Sequence, residues 1–357
     1  MEACWPGKQT IYWKRLNERM GSNLNDKIPL DLAFDLVRST EAAALSAGRW
    51  MGLGKPEEAD RVATKRMLAS LKCIDIDGRI VVCETDVRSE GDTRQVPILK
   101  HGQRVGTGNG PRLDVVVDAI DGSAQLSQGS PGALSAAAVA SSGSMWVPKG
   151  AVYMNKIIVD ADVAPALVPQ CLDAPAAWTL ALVGRAKKRS VATLTVFVLD
   201  RPRHKDLIDE IRAAGAHVML APDGDIAGSL MACLPGTGID LLMGIGGVVE
   251  GLISACAVKA TKGAMLVRLA PQREEENGAI VKAGFDSKRI LTHDDLVTSE
   301  KVFFAATGIN DGAILSGVKY EGEMAKSNSL LLRGETKTRR LIYSEHLIDI
   351  PEVITKR

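Results

Sequence analysis

The sequence predicts an α/β protein in which helices lie on sheets and at least some strands run parallel. Three observations carry that expectation. From about residue 190, apolar runs of strand length alternate with runs of helix length: 194–199 then 204–214, 217–221 then 226–234, and 239–243 then 248–260. Ahead of them, two segments show helical spacing. Leu30, Ala33, Phe34, Val37 and Ala44 recur across 29–50, and Ala59, Val62, Ala63, Met67, Leu68 and Leu71 across 57–72. Finally, 46% of the 357 residues are hydrophobic but only 4% are aromatic, so the core is built from Ala, Val, Leu and Ile, which suit close helix-on-sheet packing.

In chain order, the helix over 29–50 stops at Gly52 and Gly54, and the second helix follows at 57–72. Asp77-Gly78 reads as a turn into the strand 79–83. The polar, glycine-rich stretch 85–111 reads as a mobile loop. A short strand at 113–117 runs into Asp118-Ala-Ile-Asp-Gly-Ser123. Residues 300–318 and 329–349 add short strands and turns, and no internal repeat is visible. We expect a loosely ordered extension over 1–28 and two α/β halves, 29–160 and 161–357.

Several function classes are excluded. Net charge is +1 with no long basic tract, so nucleic acid is not an expected partner; Lys337 to Arg340 reads as a solvated strand end. No run reaches the ~18 to 20 apolar residues of a membrane span, and the N-terminus lacks a signal-peptide core. The six cysteines form no CxxC pair and mostly sit in apolar runs, as expected of buried thiols in a reducing cytoplasm.

The expected chemistry lies at strand ends, where α/β folds bind ligands. The strand at 79–83 runs into Glu84, and that at 113–117 into Asp118 and Asp121. The strand at 217–221 leads to Asp223-Gly-Asp225, and that at 239–243 to Gly244-Ile-Gly-Gly247 with Glu250 beyond. Carboxylates gathered at one edge stay ionised together only if a cation neutralises them. Oxygen ligands without a His/Cys cluster suit Mg²⁺ or Mn²⁺ rather than zinc. The alternative for each acid alone is a helix N-cap, a role open to Asp118 and Asp225 in particular. Helices starting after Gly122 and Gly247 offer backbone N–H groups to phosphate. His204 is open to phosphate contact or helix capping. His217 reads as structural and Glu274 to Glu276 as a solvated acidic turn. Gly244-Ile-Gly-Gly247 is too short for a dinucleotide fingerprint.

Asp118-Ala-Ile-Asp-Gly-Ser123 resembles the metal-binding signature of the inositol monophosphatase and fructose bisphosphatase superfamily. The match narrows to the class II fructose-1,6-bisphosphatases through Thr40-Glu-Ala-Ala-Ala, Trp50-Met-Gly, Ile76-Asp-Gly-Arg-Ile-Val-Val, Val105-Gly-Thr-Gly and Tyr153-Met-Asn-Lys156. It continues in Arg201-Pro-Arg-His204, Pro222-Asp-Gly-Asp225, Gly244-Ile-Gly-Gly-Val-Val-Glu-Gly251 and Ala306-Thr-Gly-Ile309, so that it spans about 30–349. The resemblance implies a sugar-phosphatase fold, an α+β sandwich of stacked helix and sheet layers. It implies hydrolysis of the 1-phosphate of fructose 1,6-bisphosphate, some relatives also taking sedoheptulose 1,7-bisphosphate, in gluconeogenesis or the Calvin cycle.

Carried over residue by residue, the resemblance makes Asp60, Glu84, Asp118, Asp121 and Glu250 metal ligands for Mg²⁺ or Mn²⁺. Ser123 is then the hydroxyl that orients the attacking water, paired with Glu84 or Asp86, and the amides of Gly122 and Ser123 hold the transferring phosphate. Tyr153, Arg203, Asp223 and Asp225 hold the sugar and its distal phosphate. The expected partner is a small sugar bisphosphate, and the expected assembly a homo-oligomer, a dimer or a tetramer. The chain departs from the family pattern at Pro56, Thr85, Ala119, Asp121 and Ser123. Those departures keep two alternatives open: a phosphatase for another sugar or inositol phosphate, and a regulatory paralogue with weakened catalysis. If Ser123 only caps the helix after Gly122, it leaves the catalytic group.

Overall fold

The computed structural model describes residues 31–82 and 98–348. Its helices are α1 (Leu32–Ala47), α2 (Pro56–Leu71), α3 (Ser123–Gln128), α4 (Ala176–Lys187), α5 (Lys205–Ala213), α6 (Asp225–Cys233), α7 (Val248–Thr261), α8 (Glu274–Lys282) and α9 (His293–Leu296). One sheet holds β1 (Asp77–Val82), β2 (Arg104–Val105), β3 (Arg112–Asp121), β4 (Leu134–Ser141), β11 (Val302–Gly308), β12 (Lys319–Glu321), β13 (Met324–Arg333) and β14 (Thr338–Leu347). Its order is β12-β13-β11-β4-β3-β1-β2, with β14 on the free flank of β13. The other holds β5 (Tyr153–Val159), β6 (Thr195–Leu199), β7 (His217–Ala221), β8 (Leu241–Gly247), β9 (Ala264–Leu269) and β10 (Leu291–Thr292), in the order β10-β9-β5-β8-β6-β7.

Alternation along the strands sorts side chains into stacked layers. Val115 and Val117 of β3 pack with Leu36 of α1 and Met67 of α2, while Val116 between them faces the opposite cluster with α6 and α7. In the second sheet, Phe197 and Leu199 of β6 face α6 and α7, and Val196 and Val198 face α4 and α5. The layers therefore run helix, sheet, helix, sheet, helix, as the sandwich expectation requires. α7 sits in the middle layer and is buried nearly all round, from Val248 through Ala260. Burying residues such as Leu252 and Ile253 contributes roughly 1.5–3 kcal/mol each. The one cation in its last turn, Lys259, is neutralised by Asp294 and Glu300 and donates to the Val297 carbonyl.

β6 runs parallel to both β7 and β8, as the strand–helix alternation predicts. Four details differ from the sequence reading. Asp77 and Gly78 already belong to β1, because Gly78 pairs with Val105 on one side and Leu113 on the other. In the polar stretch 85–111, the part from 98 onward is tied down: Thr107 and Gly108 donate their amides to the carbonyls of Ile74 and Ile76. Cys73 is exposed, whereas Cys171, Cys233 and Cys256 are buried free thiols. Glu276 is buried rather than solvated, for a reason given below. Among the described residues, no helix is long and apolar enough to cross a membrane.

Candidate active site

The three parallel strands β6, β7 and β8 end at the same sheet edge, where open α/β sheets bind ligands. Beyond β6 comes the turn Pro202–His204, beyond β7 the 222–225 turn, and beyond β8 the first turn of α7. β5 runs antiparallel to β8, so its first residue, Tyr153, pairs with Gly247 at that edge. From the facing sheet, β3 delivers Asp121. Its register slips between Asp118 and Asp121, three steps along β3 matching two along β4 from Ala136 to Leu134. This bulge re-aims the end of the strand.

A cavity of about 420 Å³ lies between these ends, lined by Asp121, Tyr153, Arg203, Asp223, Asp225 and Glu250 among others. Six sequence-predicted residues thus meet in one place. Arg201, which the sequence reading left outside the candidate residues, lines it as well and lies 3.6 Å from Asp223. A neighbouring, mostly apolar cavity of about 430 Å³ shares only Asp223 with it and gathers none of its other charged groups. Asp60, Asp118, Gly122 and Ser123 do not line the polar cavity. Asp60 sits in the second turn of α2, and Asp118 is buried near the end of β3 with its Oδ1 accepting from the Ile120 amide at 3.0 Å. Glu84 and Asp86 lie outside the described residues.

The acidic side brings like charges close together. Burial pushes the Asp121 carboxyl well above the usual range, and the carboxylates of Asp223, Asp225 and Glu250 push it further the same way. One opposing contact is the Ala227 amide near the start of α6, which donates to Asp121 Oδ2 at 3.0 Å. Glu250, in the first turn of α7, folds back over Gly247, where any side chain would overlap its carboxylate. Among the described residues, no three Asp, Glu, His or Cys side chains form a ready cluster for a metal ion. The donor chemistry nevertheless fits a hard divalent cation: oxygen ligands alone, one of them a buried carboxylate whose charged neighbours are acids.

The basic side is already braced. The Arg203 guanidinium stacks 5.0 Å from the centre of the Tyr153 ring and donates to the Ile245 carbonyl at 2.9 Å. His204 is buried and fills neither role that its sequence context left open. Its Nε2 accepts from the Ile245 amide at 2.8 Å, so Nδ1 carries the proton and donates to the Leu199 carbonyl at 2.7 Å. Burial lowers its pKa, which keeps the ring neutral. Glu276 performs a related task for Tyr153: Oε1 accepts from the amides of Val152 and Tyr153, and Oε2 from that of Gln272. A buried carboxylate with three amide donors needs no solvent, which is why the acidic run is not a solvated turn.

The capping alternatives fail for a shared reason. Gly122 and Gly224 occupy the N-cap positions of α3 and α6 with φ near 92° and 87°, a conformation that favours glycine. Ser123 and Asp225 are therefore first helical residues, neither acting as a cap, and Asp118 lies inside β3. Asp225 instead forms a buried ion pair with Lys156 of β5. A side chain at Gly246 would overlap both partners of that pair. Lys156 was visible in the sequence only as part of Tyr153-Met-Asn-Lys156, with nothing to mark its partner. Asp223 Oδ2 accepts from the Ala124 amide at 3.3 Å, which joins the 222–225 turn to α3.

The family described as bacterial fructose-1,6-bisphosphatase, glpX-encoded, matches residues 30–346. A fructose-1,6-bisphosphatase class 2 of Haemophilus influenzae is 36% identical over 331 residues, 89% of this chain and 96% of its own length. A fructose-1,6-bisphosphatase 1 class 2 of Escherichia coli K12 is 36% identical over 332 residues, again 89% of this chain and 96% of its own.

Proposed function

The chain belongs to the glpX-encoded bacterial fructose-1,6-bisphosphatases, and on that premise we propose that it hydrolyses the 1-phosphate of fructose 1,6-bisphosphate to the monophosphate and inorganic phosphate. The observation that carries this reading is the two-sided cavity, with arginines and Tyr153 on one side and buried acids on the other. A substrate with two phosphates matches both: guanidinium groups would hold one phosphate, and the acids would hold a cation that neutralises the other.

Asp60, Glu84, Asp118, Asp121 and Glu250 would hold Mg²⁺ or Mn²⁺. When bound, that cation supplies charge neutralisation at the reacting phosphate and a more acidic water. The chain's own residues do the rest. Arg203 makes a charge-assisted contact to the distal phosphate, with Arg201 beside it. Asp223 and Asp225 accept from sugar hydroxyls. The hydroxyl of Ser123, at the first position of α3, aligns the attacking water with Glu84 or Asp86, and the leading amides of α3 at Gly122 and Ser123 face the transferring phosphate. The described cysteines are all free thiols, which supports a reducing, cytoplasmic setting.

The test is phosphate release from a panel of fructose 1,6-bisphosphate, sedoheptulose 1,7-bisphosphate, fructose 1-phosphate and an inositol phosphate, with Mg²⁺, Mn²⁺ or excess chelator. Turnover should favour the bisphosphates, vanish in chelator and fall by at least about 10³-fold in Asp118→Asn. Undiminished turnover in chelator would sink the cation mechanism. Preference for a monophosphate would replace the substrate.

A further inference from the structure

β14 is the outer strand of its sheet. Ala325 of β13 pairs with Tyr320 on one side and His346 on the other, and Leu331 with Ala305 on one side and Arg340 on the other. β14 thus covers the whole length of β13, and no strand among the described residues pairs with its far edge. It is ten residues long, which at about 3.4 Å per residue makes an edge of roughly 34 Å. From Leu341 to Leu347 alternate residues separate, while Arg340, on the parity of the inner face, is exposed. Ile342 packs against the α1–α2 core, and His346 shares a hydrogen bond with Ser327. On the other face Leu341, Tyr343 and Leu347 are 47%, 76% and 79% exposed, flanked by the exposed Arg339 and Glu345.

Long apolar edge strands invite pairing, and monomers usually blunt them with proline, bulges, shortness or inward charge. β14 has no proline and no register slip against β13. We propose that this edge is an interface between two copies of the chain, joined antiparallel through β14. The pattern of β14 favours a second copy because it complements itself. Among registers that keep like faces together, the one centred on Ile342 sets Leu341 of one copy opposite Tyr343 of the other and Arg339 opposite Glu345, each twice by symmetry. The remaining pairs, Arg340 with Ser344 and Thr338 with His346, place no like charges together. One strand pair with its overhanging side chains lies at the low end of the ~1,000 Å² that a stable interface buries, so association should depend on concentration.

The test is sedimentation velocity of the full chain from about 1 to 100 μM, with circular dichroism to check folding. The wild type should assemble, and Tyr343→Lys and Arg339→Glu should each halve the particle mass at mid-range concentration, a shift of at least tenfold in Kd. The double variant Arg339→Glu, Glu345→Arg should restore assembly to within a few-fold, because the register pairs those positions reciprocally. Phosphatase activity plays no part in the readout, so failure here leaves the proposed reaction standing. A wild type that stays monomeric throughout, an assembly insensitive to both single variants, or a loss that the double variant does not reverse would each overturn the proposal.

Discussion

At one end of the polar cavity every charged group is already answered. Arg203 stacks on Tyr153 and donates to Ile245, Tyr153 is held by Glu276, and Asp225 is paired with Lys156. At the other end Asp121 is buried among Asp223, Asp225 and Glu250, and the Ala227 amide donates to it. The braced end is rigid before a ligand arrives, so its distal contacts lose little freedom on binding. The acidic end gathers like charges, so a cation placed there would bind with electrostatic gain. Asp223 and Asp225 belong to both ends, which couples them: the same turn that lines the basic side also loads the carboxyl of Asp121.

Substitutions can break this contrast from either side. The largest effect is expected at Lys156, where Lys156→Met strands the buried Asp225 carboxylate. Such a loss typically costs about 3–5 kcal/mol, visible as a lower urea midpoint. The double variant Lys156→Met, Asp225→Leu should regain most of that stability, and a single variant as stable as wild type would show that the pair braces nothing.

Next comes Arg203→Ala. It should raise KM for fructose 1,6-bisphosphate by an amount equivalent to roughly 1.5–3 kcal/mol while leaving fructose 1-phosphate almost unaffected. Equal losses on the two substrates would move Arg203 to the reacting phosphate or to folding.

The smallest effect sharpens the acidic end. Asp121→Asn keeps an acceptor for the Ala227 amide and removes the buried like charge, so the metal-free protein should gain on the order of 1 kcal/mol, roughly 1 to 2 °C in Tm, while turnover collapses. The sign with pH follows from the raised pKa. The native carboxyl keeps its proton to higher pH than the unfolded chain does, so its cost to the fold is absent below the ordinary carboxylate range, grows as pH rises from there and is complete only above the raised native value; the gain of the variant should therefore shrink toward acid pH. A metal-free variant less stable than wild type at pH 7 would show that Asp121 is not held against repulsion.

Much of the molecule was legible along the chain because local spacing alone governs it. The helical stripe read at 57–72 is α2 to within a residue, and the run at 217–221 is β7. Other features needed partners far away. β8 continues through Gly244-Ile-Gly-Gly247, which reads locally as a turn, because β5 pairs with it to the last residue and the glycines leave room for Asp225 and Glu250. The acidic run at 274–276 looks solvated until the amides of Val152 and Tyr153 are brought against it.

The sequence by itself determined the layer type, the parallel strand–helix units and the strand ends where acids and arginines collect, since period, turn residues and motif spacing are local or nearly so. Only the tertiary structure decided that the last strands return to the sheet of β1–β4, that Asp225 answers Lys156 rather than a helix end, and that Asp121 from one sheet faces Glu250 from the other. These are contacts between residues as far apart along the chain as Leu134 and Gly308. Their energies come from burial and charge in three dimensions, and no property of either segment alone encodes which partner it will meet.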